Sequence, residues 1–198
     1  MKIVKMNQEY PESDLIEEAI EVLSSGGIVL YPTDTIYGLA ANIFNEKAVE
    51  KVYEIKNRSM LKPLSVCVSS IDALSLIADL RESHRNLVEN HLPGPFTFIF
   101  YKSSNWKNTF FDRHKKVGVR IPKNEIAIEL SQIFPITSTS ANISNKEVFK
   151  NPKEILKQLN HDVDFVIDVG PMGSSIPSTV VDLTGNEPII LREGAGKL

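Results

Sequence analysis

The chain has 198 residues, 42% hydrophobic and 24% charged, with a net charge of −3. That length and mix suit one globular domain over residues 1–198, able to bury a core without disulfides or a structural metal. Cys67 is the only cysteine, which excludes an internal disulfide and fits a reducing, cytoplasmic setting. The short, charged start Met1-Lys2-Ile3-Val4-Lys5 does not read as a secretory signal, and no apolar run is long enough for a membrane span.

Leu15, Ile16, Ala19, Ile20, Val22 and Leu23 recur at helical spacing ahead of Gly26-Gly27, predicting a first helix. The apolar run 28–31 reads as a buried strand halted by Pro32. Asn45 suits the cap of a second helix carrying Ala48, Val52 and Ile55. Residues 64–68 predict a strand, 71–91 two helices, and 96–101 a strand introduced by the turn Pro93-Gly94-Pro95. A strand at 117–121, a helix near 124–133, a short extended stretch at 136–139 and a helix at 152–160 follow. Strands at 165–169, 179–183 and 188–191 close the chain. Alternating strands and helices predict an α/β fold, with a mixed sheet because the late strands follow one another closely.

The acidic total hides local basic runs. Residues 107–123 hold six cations and one acid, and 47–62 hold five cations and two acids. Such patches suit a small polyanion better than a long duplex, or are simply solvated loops. Lys56 and Arg58 stand two apart and cannot share a helix face, but in an extended loop they project the same way. With Lys62 they form a candidate triphosphate clamp.

Tyr31-Pro32-Thr33-Asp34-Thr35-Ile36-Tyr37-Gly38-Leu39 leaves a buried strand with polar groups at its end, a common place for ligand contacts, although taken alone it reads first as a Pro-initiated turn with Asp and Thr capping a helix. Ser138-Thr139-Ser140-Ala141-Asn142 is a dense donor run that suits close approach to phosphate or ribose, or a turn. Arg120 alternates with apolar residues in Val117-Gly118-Val119-Arg120-Ile121, so it either faces solvent or lines a cavity. Ser178-Thr179 opens one late strand and Arg192 ends the last. There is no Walker loop and no Gly-x-Gly-x-x-Gly. His84, His91, His114 and His161 lack zinc-ligand spacing, and most are expected at the surface. Ser59-x-x-Lys62 and Ser140-Ala141-Asn142 match two elements of penicillin-recognising serine hydrolases, but Lys-Thr-Gly is absent.

Taken together the motifs resemble the YrdC/TsaC family of threonylcarbamoyl-AMP synthases, without the extra C-terminal domain of larger members. The resemblance runs from Gly26 to Gly194 and rests on Tyr-Pro-Thr-Asp-Thr-x-Tyr-Gly-Leu (31–39), Lys-x-Arg (56–58), Lys-Pro-Leu (62–64), Pro-Gly-Pro-x-Thr (93–97), Val-x-Val-Arg-x-Pro (117–122), Ser-Ala-Asn (140–142), Ser-Thr-Val-Val-Asp-Leu (178–183) and Leu-Arg-x-Gly (191–194). It implies a twisted mixed β-sheet with flanking helices around a basic cavity. It implies ATP at Lys56, Arg58, Lys62, Ser140, Asn142 and Arg192, with Lys56 and Arg58 catalytic. Threonine is implied near Thr33, Thr35, Cys67, Arg120 and Ser178, with Arg120 on its carboxylate. Mg²⁺ would accompany the triphosphate, with no metal site of the protein's own. The resemblance further implies bicarbonate as the third substrate and a tRNA threonylcarbamoyl transferase as the receiver of the product, with RNA itself a further candidate partner. Three departures stand out: Cys67 where the family often has histidine, Glu193 where proline is commoner, and Ser144-Asn145 where Ser-Gly is usual. Cys67 and Arg-Glu-Gly are also features of YciO-type paralogues, although Lys-x-Arg and Ser-Ala-Asn are both intact. A non-catalytic RNA-binding module using the same cavity is the reading from another class.

Overall fold

A computed structural model describes residues 1–107, 110–160 and 163–198. His161 lies outside them. The chain runs β1 (Lys2–Lys5), α1 (Ser13–Ser24), β2 (Val29–Tyr31), β3 (Gly38–Ala40), α2 (Glu46–Ile55), β4 (Ser65–Cys67), α3 (Ile71–Ile77) and α4 (Glu82–His91). It continues β5 (Phe96–Tyr101), a 3₁₀ turn at Phe111–Arg113, β6 (Lys116–Arg120), α5 (Glu125–Leu130), β7 (Ile136–Ser140) and α6 (Pro152–Leu159). The last elements are β8 (Phe165–Asp168), β9 (Thr179–Asp182) and β10 (Ile189–Arg192).

Among the described residues ten strands make one mixed sheet, in the order β1-β8-β2-β3-β7-β4-β6-β5-β9-β10. The pairs β1/β8, β2/β8, β4/β6 and β5/β9 are parallel and the rest antiparallel. Successive side chains along a strand face opposite ways. Leu30 therefore packs in a core with Val49, Val52 and Ile55 of α2. Its neighbours Val29 and Tyr31 join Ala19 and Leu23 of α1 and Ala127 and Leu130 of α5. Asn45 accepts from the Ala48 N–H and caps α2, as its position suggests, while Asn124 and Asn151 cap α5 and α6. No helix among the described residues is long and apolar enough to cross a membrane.

Two strands were not anticipated. β3 is Gly38-Leu39-Ala40, a small-residue run without strand propensity. It pairs because β2 and β7 flank it, and Gly38 is required: a Cβ there would lie 2.9 Å from the Tyr31 ring and 3.3 Å from the Thr139 carbonyl. β1 is an edge strand in which only Val4 is buried. The helix expected near 124–133 stops at Leu130, where Ser131 turns its hydroxyl back to the Ala127 and Ile128 carbonyls. His84 is not at the surface: it is buried, with Nε2 at 3.0 Å from the Asn186 carbonyl. Asn45→Ala removes a side-chain cap, so thermal unfolding should show a loss of about 1 kcal/mol.

Candidate functional site

Strand ends and the loops after them build a cavity of about 230 Å³. Thr33 enters from the β2–β3 loop, Arg58 from the segment after α2, Thr97 from β5, Arg120 from the end of β6, Ser140 from β7, and Ser178 and Arg192 from the β9–β10 region. A second cavity of about 270 Å³ is lined by Lys56, Arg58, Lys62, Ser140 and Asn142, with Ser59 and the 144–145 turn. Arg58 and Ser140 belong to both, so the two spaces adjoin. Among the described residues neither lining contains a carboxylate. Three arginines and a set of hydroxyls therefore face this space, and only Arg120 has a carboxylate behind it, Asp34, which leaves a net positive field suited to an anion.

The threonine loop is held by its own hydroxyls. Thr33 Oγ1 donates to the Ile36 carbonyl at 2.7 Å and accepts from the Thr35 and Ile36 N–H groups at 3.1 and 3.2 Å. Arg120, open to solvent-facing or cavity-lining placement by its pattern, lines the cavity at 5% exposure. Its Nη2 donates to Asp34 Oδ1 at 2.5 Å and to Thr35 Oγ1 at 3.3 Å. At the rim, Arg192 Nη2 donates to the Ser178 carbonyl at 2.7 Å, and Ser178 Oγ sits 2.8 Å from Thr97 Oγ1. Burial, and then the nearby Arg120 charge, lower the pKa of Arg192. Gly194 follows at a tight place: a Cβ there would stand 2.3 Å from the Pro177 carbonyl oxygen.

Lys56 and Arg58 do not project together. Asn57 between them is left-handed, at φ 46°. Lys56 turns inward and is 1% exposed. Its ammonium donates to the Ser140 carbonyl, to the Asn142 carbonyl at 2.7 Å and to Asn142 Oδ1 at 3.1 Å. Burial first, and the Arg58 charge second, push the Lys56 pKa down to about 7. Three acceptor oxygens nevertheless occupy three N–H directions, the arrangement a charged ammonium requires. Arg58 instead donates to the Lys62 and Pro63 carbonyls at 3.2 and 2.9 Å, bracing its own loop.

The residues singled out in the sequence thus separate. Thr33, Arg58, Arg120, Ser140, Ser178 and Arg192 line the first cavity, and Lys56, Arg58, Lys62, Ser140 and Asn142 the second. Thr35 and Cys67 line neither. Cys67 is fully buried, with Sγ 3.9 Å from the Ala127 carbonyl and 3.8 Å from Ser131 Oγ. Burial pushes its thiol up to about 11. Among the described residues of the basic run 107–123, Arg120 alone reaches the first cavity, while Lys116 pairs with Asp182 at 2.9 Å. Thr97 was missed as a lining residue, though a lone hydroxyl in Phe96-Thr97-Phe98 was a usable signal. Among the described residues no group of three or more His, Cys, Asp or Glu could hold a metal ion. The two cavities do not fit a resident Mg²⁺, whose preferred ligands are carboxylate oxygens.

Fold and site together define an α/β protein with an arginine-lined anion cavity at its strand ends. A family model described as telomere recombination, that of the Sua5, YciO and YrdC proteins, matches residues 21–194, and the chain belongs to this family. It is 40% identical over 194 residues to a Methanocaldococcus jannaschii protein provisionally named threonylcarbamoyl-AMP synthase, covering 98% of this chain and 92% of that one. The crystal structure of Pyrococcus abyssi Sua5 complexed with L-threonine superposes with a TM-score of 0.89 at 32% identity, over 98% of this chain and 58% of Sua5. Escherichia coli YciO superposes with a TM-score of 0.90 at 30% identity, over 100% and 98%.

Two outcomes test this geometry. Lys56→Met strands the Ser140 and Asn142 carbonyls and should lower stability by about 1–3 kcal/mol in denaturant unfolding, so Lys56 is not a purely functional cation. Cys67 should react with a thiol-specific disulfide reagent only at the rate of unfolding, and free reactivity in the native protein contradicts the buried placement.

Proposed function

We propose that this protein is a threonylcarbamoyl-AMP synthase, forming L-threonylcarbamoyladenylate and pyrophosphate from ATP, L-threonine and bicarbonate. The observation that carries the reading is the pair of adjoining cavities, rich in cations and hydroxyls and, among the described residues, free of lining carboxylates. The second cavity together with the Arg58 and Arg192 side of the first suits a nucleotide polyphosphate, and the Arg120 end of the first suits an amino acid carboxylate. The relative that binds threonine in its crystal structure, and the synthases so named among the relatives, support the same chemistry.

In this reading threonine lies by Thr33 and Ser178, with its carboxylate on the free edge of Arg120, while Thr35 supports that arginine and Cys67 stands behind the wall. ATP lies along Arg58, Lys62, Ser140, Asn142 and Arg192. Bicarbonate takes up a proton and loses water to give CO₂, the threonine ammonium gives up a proton, and the free amine attacks the CO₂ carbon and sheds a second proton to give a carbamate, with a net release of one proton and one water to solvent. A carbamate oxygen then attacks the α-phosphorus, the bond to the bridging oxygen breaks, and pyrophosphate leaves with that electron pair. Arg58 and Lys62 offset charge on the departing phosphates. Lys56 contributes by holding the Ser140–Asn142 corner. Alignment of two bound reactants can remove about 7–11 kcal/mol of barrier without a covalent enzyme intermediate. A divalent cation would enter as part of the nucleotide substrate. The unstable adenylate implies a receiving transferase that modifies tRNA.

The near-complete superposition on YciO supports a second reading, a paralogue sharing the cavity without this reaction. Pyrophosphate release in the presence of ATP, threonine and bicarbonate separates the two. The synthase requires all three; release indifferent to threonine, or none, rejects it. A non-catalytic RNA binder would instead show steeply salt-dependent RNA affinity. Arg58→Ala should cut kcat by at least tenfold, whereas Arg120→Ala should chiefly raise the KM for threonine.

A further inference from the structure

The three cavity arginines differ in what faces them. Arg58 donates to the Lys62 and Pro63 carbonyls, and Arg192 to the Ser178 carbonyl, all neutral acceptors. Arg120 meets a carboxylate, Asp34, and the two side chains are 6% and 10% exposed. Asp34 comes from the loop that Thr33 locks, so the carboxylate is delivered to a set place. Asp34 Oδ2 and Arg120 Nε are both buried without a partner, so each group uses only one side in the pair. The cavity is thus positive along Arg58 and Arg192 and balanced at Arg120.

We propose that Asp34 is a positioning and specificity residue: by cancelling the charge of Arg120 while leaving it as a donor, it reserves that end for a zwitterionic amino acid and excludes polyphosphate from it. A bare guanidinium attracts any anion and repels the ammonium of an amino acid. A guanidinium already paired with a carboxylate keeps directional N–H groups without the net charge. A polyanion then gains most along Arg58 and Arg192, and the two substrates are sorted before reaction. The proposal rests on the synthase reading, which supplies the amino acid and the polyphosphate.

Asp34→Asn keeps the shape and removes the charge. Calorimetry with L-threonine and with pyrophosphate should find one pyrophosphate site in the wild type, not competitive with threonine. In the variant, threonine should weaken at least tenfold, and a second pyrophosphate should bind in competition with it. In turnover the KM for threonine should rise far more than kcat falls. Threonine binding within twofold of wild type, with pyrophosphate still non-competitive, overturns the proposal alone. A wild type that binds no threonine removes the synthase reading and the proposal with it. If Asp34→Asn does not fold because it strands a buried charge, Asp34→Asn with Arg120→Gln restores a neutral pair and should bind a single pyrophosphate. Two in that variant overturns the role assigned to charge.

Discussion

The buried ammonium of Lys56 ties the end of α2 to the end of β7. Its three contacts all fall on residues 140 and 142. Ser140 Oγ in turn donates to Asn142 Oδ1 at 2.6 Å, and Asn142 Nδ2 to the Lys146 carbonyl at 2.7 Å. One cation thus organises a corner that both cavities share. A buried charge survives only where oxygens surround it, and here those oxygens are the backbone of the site's own wall. Stability and site geometry are set by the same contacts.

The second organising feature is electrostatic. A cavity with several arginines pushes its own cations apart, and burial first, with the Arg120 charge second, lowers the pKa of Arg192. Neutral carbonyls direct the Arg58 and Arg192 side chains without cancelling their charge, and the Asp34 carboxylate directs Arg120 while cancelling it. Geometry and net charge are thereby adjusted separately within one cavity. Backbone carbonyls are available for this because strand ends and turns leave them without ladder partners.

Much of the fold was readable in the chain. Strongly periodic helices and apolar strands carried their own signal, as in α1 and β5, and the Asn45 cap followed from side-chain chemistry. β3 was not readable, since Gly-Leu-Ala carries no strand preference and becomes one only between β2 and β7. The reach of Arg58 and Arg120 into one space was anticipated by motif order, not by spacing. The inward turn of Lys56 was not, because it depends on a left-handed Asn57 and on acceptors more than eighty positions away.

By itself the sequence determined the alternation of elements, the single unpaired cysteine, the lack of a Walker loop and the inventory of cations and hydroxyls. These are local properties, set by side-chain shape, periodicity and composition. Only the tertiary structure decided which cations face a cavity, which are tethers, and which is cancelled by a carboxylate. Charge acts through space, so its meaning depends on neighbours that the sheet order brings together across the chain.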